Sequence, residues 1–205
     1  MTDSKRISYS VLDLAPVAEG STPADALRNS LELARHTEQL GYRRFWVAEH
    51  HNIISVASAA TSIIIGYIAQ GTKTIRVGSG GIMLPNHSPL IVSEQFGTLA
   101  ALYPNRIDLG LGRAPGTDPV TAAELRYDRM RAAHDFPNEV RKIQQYFSPE
   151  NSTAEVRSVL SEGAGVPIWI LGSSTDSAYL AAELGLPYAF ASHIAPQQLM
   201  AALKI

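Results

Sequence analysis

The sequence has no cysteine among its 205 residues. This absence excludes disulfide bonds, cysteine-ligated zinc sites, iron–sulfur clusters and a thiol nucleophile. The chain also lacks a hydrophobic run long enough to span a bilayer, since the longest compact apolar stretch is Ile63, Ile64 and Ile65. No apolar signal-peptide core is visible in the first ten residues. These absences predict a cytoplasmic protein that has no membrane partner.

Clustered positive charge is missing as well. Lys and Arg number 17 against 19 Asp and Glu, and the net charge is −2. Nucleic-acid binders carry a concentrated basic surface, so no nucleic-acid partner is expected. Hydrophobic residues make up 45% and charged residues 18% of the sequence, the balance of a globular protein with a sizeable core. The length predicts a single domain over residues 1–205.

Short β-rich runs alternate along the chain with longer stretches of helical periodicity. The predicted strands cover 7–12, 44–48, 74–78, 106–111, 166–171 and 186–191. The predicted helices cover 22–40, 57–69, 88–102, 175–184 and 196–203, with helical patches at 122–132 and 137–146. Strands two, three and four begin about 31 residues apart, and such regular repeats predict a parallel sheet with helical crossovers.

A parallel sheet can be an open doubly wound sheet or part of a barrel. The first strand is not followed by the G-x-G-x-x-G fingerprint of dinucleotide-binding open sheets. In the fourth strand, Asp108, Gly110 and Gly112 alternate with large apolar residues, which suits a curved sheet with a narrow interior. Both features favour a (βα)8 TIM-barrel type. About six of eight strands are found, so we expect an incomplete, C-terminally truncated barrel with open edge strands.

In parallel α/β folds, functional residues gather beyond the carboxyl ends of the strands. The second predicted strand is followed by Glu49, His50 and His51. A histidine held by a neighbouring carboxylate can transfer protons near neutral pH. Two other interpretations stay open, a metal site and a hydrogen-bonded polar strand end. The first lacks the H-x-H spacing that places both rings on one strand face.

Three other strand ends carry candidate ligand-binding residues. Glycines at 78, 80 and 81 permit close approach of a flat ligand, or form a flexible turn. Arg113 is a candidate to clamp a phosphate or carboxylate, or to pair with Asp118. Gly172, Ser173 and Ser174 open a helix whose free amides suit an anion, although ordinary capping explains the serines equally well.

These motifs occur together in a recognisable order. Trp46 to His51, the glycine run leading to Met83-Leu84-Pro85 and His87, the strand from Arg106 to Arg113, and the segments 167–174 and 181–187 follow one another. In this the chain resembles the bacterial-luciferase-like flavin-dependent oxidoreductases over most of its length. The resemblance implies a (βα)8 barrel whose members continue beyond residue 205.

The resemblance also implies a cofactor and partners. Family members use FMN, reduced by a separate flavin reductase, or in some branches the deazaflavin F420, and they act on small-molecule substrates, usually as homodimers. His50 matches the family's active-site histidine, and Gly80 and Gly81 match a non-prolyl cis peptide against the flavin ring. The remaining matches are Arg113, Ser173, Ser174 and Ser177 around the flavin phosphate, and Ser192 near the ring.

The resemblance therefore predicts a flavin-dependent monooxygenase that uses reduced FMN and oxygen. Two alternatives remain, a non-catalytic flavin-binding or subunit-type protein and an F420-dependent dehydrogenase. A metal-dependent hydrolase is least supported, because neither H-x-H nor a set of carboxylates is present.

Overall fold

The computed structural model describes residues 7–205 and contains a curved, mostly parallel sheet that forms a half-barrel flanked by helices. The strands are β1 (Ser10–Asp13), β2 (Arg44–Val47), β3 (Arg76–Ser79), β4 (Ile82–Met83), β5 (Ile107–Gly112), β6 (Ile168–Gly172) and β7 (Tyr188–Phe190). Their order is β1-β2-β3-β5-β6-β7, and β4 pairs with β5 beyond the end of β3. All named pairings are parallel, as predicted, and the half-barrel that they form agrees with the predicted incomplete barrel.

Helices connect successive strands on the outside of this sheet. They are α1 (Pro23–Gln39), α2 (Thr61–Gly71), α3 (Pro89–Leu102), α4 (Pro119–Leu125), α5 (Arg129–His134), α6 (Phe136–Phe147), α7 (Thr175–Leu184) and α8 (Leu199–Ala202). Short 3₁₀ turns cover Leu84–Asn86, Pro149–Thr153 and Pro196–Gln198. None of the helices in the described part of the chain has the length and apolar character needed to cross a membrane.

The convex face of the sheet and the helices form the main hydrophobic core. Alternate strand residues such as Phe45, Val77 and Leu109 are fully buried there, against Ile65 and Phe96 from the helices. The neighbouring positions along each strand necessarily point to the opposite, concave face. The same alternation that buries the core therefore decides which side chains line the barrel interior.

The concave face carries a polar cluster. The fully buried Asp108 accepts hydrogen bonds from Arg44 Nε at 3.0 Å, Trp46 Nε1 at 3.2 Å and Arg76 Nε at 2.9 Å. The indole rings of Trp46 and Trp169 pack edge to face, with their centroids 5.4 Å apart. One carboxylate thereby joins three neighbouring strands inside the barrel.

Glycine is required where the strands approach most closely. A Cβ at Gly110 would lie 2.2 Å from the backbone oxygen of Ser79, and one at Gly78 would lie 2.4 Å from that of Asp108. These contacts agree with the narrow interior predicted from the alternation in the fourth predicted strand.

Several predicted element boundaries are confirmed. Thr22 caps α1, and its side chain and that of Asp25 form a reciprocal capping box. Gly185 ends α7 in the left-handed conformation with φ +63°. Helices α3 and α7 begin and end within one residue of the prediction.

Other boundaries are corrected. The first strand, predicted at 7–12, runs from Ser10 to Asp13, and the last shortens from 186–191 to Tyr188–Phe190. The second helix begins at Thr61 rather than 57, because Ala57 donates its amide to Ala15 O in the preceding loop. The helical patch at 122–132 is two helices, and the segment 196–203 is a 3₁₀ turn followed by α8. Strand β4 was not predicted.

Candidate active site

Three loops meet at the carboxyl ends of the neighbouring strands β2, β3 and β5. Because these strands are parallel and adjacent, their carboxyl ends lie along one edge of the sheet. The loop after β2 carries Glu49, His50 and His51, and the segment after β3 carries Gly80 and Gly81. Predicted site residues distant in sequence are therefore brought to the same edge.

Glu49 is the fully buried centre of this region. One carboxylate oxygen, Oε1, lies 2.8 Å from His51 Nε2 and 2.9 Å from His87 Nε2, and also accepts a hydrogen bond from Asn86 Nδ2 at 3.1 Å. The other oxygen, Oε2, accepts the backbone N–H of Met83 at 2.9 Å. The carboxylate thus joins the loop after β2 to β4 and the turn that follows it.

These contacts keep the carboxyl group of Glu49 ionised. Burial by itself opposes ionisation, but the hydrogen bonds from His51, His87 and the Met83 amide outweigh it and lower the pKa of Glu49 to about 2. An ionised carboxylate can only accept hydrogen bonds, so His51 and His87 each carry a proton on Nε2. The prediction of a histidine held by the neighbouring carboxylate therefore applies to His51 and His87, and not to His50.

The imidazole of His50 lies in a different environment. Its Nδ1 atom is buried and has no hydrogen-bond partner among the described residues, while the backbone N–H donates to Ser58 O at 3.2 Å. Burial lowers the pKa of His50 below its usual 6.5; the charge of Glu49 acts in the opposite direction, and His51 lowers it further. His50 is consequently neutral at neutral pH, and its Nδ1 is a buried polar atom without a partner among the described residues.

The Gly80–Gly81 peptide bond is cis, as the resemblance implied. Gly80 donates its backbone N–H to Val47 O at 2.8 Å, which ties the turn to the end of β2. A Cβ at Gly80 would lie 2.6 Å from Leu12 Cδ1, and one at Gly81 would lie 2.8 Å from Gly110 O. Only glycine fits at either position without displacing a neighbour.

The loop after β5 closes on the loop after β2. Gly116, at φ +65°, accepts the His51 backbone N–H at 3.2 Å, and Thr117 Oγ1 donates to His51 O at 2.7 Å. The alternative pairing of Arg113 with Asp118 is wrong, because Asp118 instead caps α4 by accepting the amides of Val120 and Thr121. The exposed Arg113 directly follows β5.

The serines predicted to contact the flavin lie beyond the ends of β6 and β7; β6 is next to β5 in the sheet, and β7 is next to β6. Ser173 and Ser174 are partly buried and precede the first turn of α7. The hydroxyl of Ser177 lies 2.8 Å from Ser174 O and 2.9 Å from Tyr188 Oη, so it is engaged within the protein. Ser192 is exposed in the turn after β7. Their contacts with a flavin stay predictions.

This geometry agrees with comparisons to known proteins. The sequence profile described as Luciferase-like monooxygenase matches residues 7–204. The chain belongs to the luciferase-like monooxygenase family.

Several curated relatives carry functional names. A protein of Escherichia coli (strain K12) named Luciferase-like monooxygenase is 54% identical over 205 residues, which are 100% of this chain and 61% of that protein. N-acetyl-S-alkylcysteine monooxygenase of Bacillus subtilis (strain 168) is 38% identical over 92% of this chain and 58% of its own length. The chain thus spans about three-fifths of the length of these relatives.

Solved structures of luciferase-like monooxygenases share the fold. Apo-MsnO8 superimposes with a TM-score of 0.91 at 46% identity, covering 97% of this chain and 60% of its own. The oxygenating constituent of 3,6-diketocamphane monooxygenase from Pseudomonas putida, in complex with FMN, has a TM-score of 0.71 at 16% identity, covering 89% of this chain and 56% of its own. At that identity the likeness concerns the fold alone.

The more distant partners of Glu49 in this luciferase-like chain, among them Asn86, were not predicted as site residues. Asn86 donates to Pro115 O at 2.9 Å as well as to Glu49, and its Oδ1 accepts a hydrogen bond from the buried Arg129 at 2.9 Å. Arg126 donates to His87 O from the same region between α4 and α5. The one available signal was Glu49 itself, an acid directly after a buried strand.

Proposed function

We propose that this chain forms the flavin-binding half-barrel of a monooxygenase that uses reduced FMN and oxygen on a small organic substrate. One observation carries the proposal: His50, with a buried and unpartnered Nδ1, and the Gly80–Gly81 turn, where a side chain would displace a neighbour, follow two adjacent strands at the same edge of the sheet. A separate flavin reductase would supply the reduced cofactor. The family habit of forming homodimers, a single-domain organisation over residues 1–205 and a cytoplasmic location belong to the same proposal.

The residues at this edge suit a flat, phosphorylated ring system. Gly80 and Gly81 present backbone without side chains, so a planar group can approach closely. Arg113 offers a planar set of donors, and the start of α7 at Ser173 and Ser174 offers free amides to a phosphate. When bound, reduced FMN supplies the electrons that activate oxygen.

The part played by the chain is to orient the ring, to exclude water and to handle protons. His50 is neutral at working pH, so its imidazole can take up a proton from the bound reactants and return it. The buried position of Nδ1 keeps bulk water from competing for that proton.

Support for an oxygenation reaction comes from the family and from the names of relatives. The N-acetyl-S-alkylcysteine monooxygenase of Bacillus subtilis is named for a small sulfur-containing organic substrate, and the E. coli relative is itself named a monooxygenase. We propose a small organic substrate here as well, and no nucleic-acid or membrane partner.

A direct test is equilibrium titration of the purified chain with FMN and with F420, each oxidised and reduced, followed by turnover with a flavin reductase and oxygen. We expect reduced FMN to bind. The His50→Gln variant should lose turnover, whereas His193→Gln, which alters an exposed histidine, should not. Binding of F420 in preference to FMN would favour the dehydrogenase alternative. FMN binding without turnover would favour a non-catalytic flavin-binding protein, and no binding of either flavin would reject the proposal.

A further inference from the structure

We infer that Glu49 is a positioning residue, which fixes His50 relative to the Gly80–Gly81 turn by holding the segments on both sides with one carboxylate. The inference builds on the proposed function, since His50 and the turn are there assigned to the flavin site. Glu49 does not itself provide the ligand-facing group, because its side chain is fully buried and its oxygens are occupied by donors from the protein.

The loop after β2 is fixed on both sides of His50. His50 lies between two residues that are both fixed: Glu49 is bound to β4 and the following turn, and His51 is bound to Glu49 through its ring at 2.8 Å. The backbone of His51 is also held, because its N–H donates to Gly116 O at 3.2 Å. The backbone that carries the imidazole of His50 therefore cannot shift along the strand end without breaking these contacts.

The segment after the glycine turn is bound to the same carboxylate. Met83 donates its backbone N–H to Glu49 at 2.9 Å, only two residues beyond Gly81. Asn86 and His87 donate to the same carboxylate at 3.1 Å and 2.9 Å. Together with the backbone hydrogen bond from Gly80 N–H to Val47 O, the Glu49 side chain thus holds the His50 loop and the glycine turn at a fixed separation.

Charge is essential to this arrangement. Four donor groups converge on Glu49, and only a carboxylate accepts from all of them. In Glu49→Gln, a side chain of the same shape, the amide nitrogen must face at least one protein donor. The substitution therefore preserves the volume of the side chain but disturbs the positions of the segments that bind it.

The principal test measures the dissociation constant of FMN for the whole chain and its variants. We expect Glu49→Gln to weaken binding by at least about tenfold and Glu49→Asp, which keeps the charge on a shorter side chain, to weaken it less. The matched control is Glu38→Gln. Glu38 is also an acceptor of several loop donors, the amides of Lys73, Thr74 and Ile75, but it lies in the last turn of α1 and binds the loop that precedes β3, at the opposite end of the strands.

The control separates positioning from loss of stability. If both variants lower the melting temperature but only Glu49→Gln weakens FMN binding, the inference is supported. Unchanged FMN binding in Glu49→Gln would overturn it, and so would an equal loss of binding in Glu38→Gln.

A second measurement does not depend on flavin. Nitrogen-15 NMR of the six histidines reports which ring nitrogen carries the proton. In the wild type, His51 and His87 should both be protonated on Nε2, and Glu49→Gln should change the tautomer or the hydrogen-bond shift of at least one ring. If the wild type binds no flavin, the proposed function fails and this spectrum alone decides the role of Glu49. Unchanged signals from both rings would then reject the inference.

Discussion

The imidazole of His50 shows how burial can prepare one residue for proton transfer. Since burial lowers its pKa below 6.5, the neutral form should predominate at neutral pH and protonation should occur only in more acidic solution. We predict that kcat/KM stays constant around pH 7 and falls as the pH drops below 6.5. His50→Gln should remove this acid limb together with most of the activity. An acid limb that persists in His50→Gln would assign the titration to another group.

The ionisation of Glu49 predicts how the stability of the folded protein depends on pH. Its pKa is about 2 in the folded protein against an ordinary 4.5, so the folded state favours the ionised form. The resulting stabilisation is fully present above pH 4.5 and is lost as the pH falls toward 2. Its upper limit is roughly 3 kcal/mol, from about 1.4 kcal/mol for each pKa unit.

Urea denaturation of the wild type and of Glu49→Gln tests this prediction. At pH 7 the variant should be less stable by roughly 2–3 kcal/mol, because a buried donor is left without an acceptor. The difference in the free energy of unfolding should narrow between pH 4.5 and pH 3, because the Glu49 carboxylate of the wild type then contributes less stabilisation. A difference that is independent of pH would contradict the assigned ionisation.

Among the elements, the close contact between β3 and β5 depends on glycine. A methyl group at Gly110 would lie 2.2 Å from the backbone oxygen of Ser79, and neither strand can move without disturbing the sheet. We predict that Gly110→Ala destabilises the protein by about 1–3 kcal/mol or more. Gly66→Ala is the matched control. A Cβ at this position, in the middle of α2, would lie 3.4 Å from Leu99 Cδ2, and the substitution removes a flexible residue from a helix.

Denaturation midpoints of the two alanine variants distinguish local packing from a general effect of adding a methyl group. Gly66→Ala should be neutral or slightly stabilising. If Gly110→Ala has the same stability as the wild type, the two strands are less constrained than the described contact requires.

Helices could be predicted from the sequence more accurately than strands, for a physical reason. The ends of α1 and α7 are encoded by neighbouring residues, a Thr22 cap and a left-handed Gly185, so local sequence suffices. Strand β4 has two residues and exists because Ile82 and Met83 pair with the end of β5. No periodicity within such a short segment can reveal it.

Part of the candidate site could likewise be predicted from the sequence, and part of it could not. The position of His50, the cis bond at Gly80–Gly81 and the serines before α7 follow from motif order, and the described structure agrees on where they lie. The partners of Glu49 do not follow, because His87 is 38 residues away and Met83 is 34 residues away along the chain. Which imidazole a carboxylate binds is decided by packing between loops, and the adjacent positions of Glu49, His50 and His51 in the sequence do not decide between the two histidines.

On the scale of the whole molecule, two buried carboxylates hold the half-barrel together at different depths. Glu49 joins loops at the carboxyl ends of the strands, whereas Asp108 joins β2, β3 and β5 within the concave face. Arg44 extends the second cluster to β6, since its guanidinium lies 4.9 Å from the ring centre of Trp169. A curved sheet with a charged interior therefore depends on Asp108 for its neutralisation as well as for its hydrogen bonds.

We accordingly predict that Asp108→Asn destabilises the protein by about 3–5 kcal/mol, because the guanidinium groups of Arg44 and Arg76 would remain in a largely buried face without their counter-charge. Asp128→Asn is the matched control: its side chain is 48% exposed beside Arg126, and its loss should leave the stability nearly unchanged because solvent screens the pair. Trp46 and Trp169, the only tryptophans in the sequence, both contact the interior cluster. Urea unfolding followed by tryptophan fluorescence should therefore show a lower midpoint and an altered native spectrum for Asp108→Asn alone. A wild-type midpoint in that variant would mean that the half-barrel is held by the apolar core on its convex face, and that the interior charges contribute little.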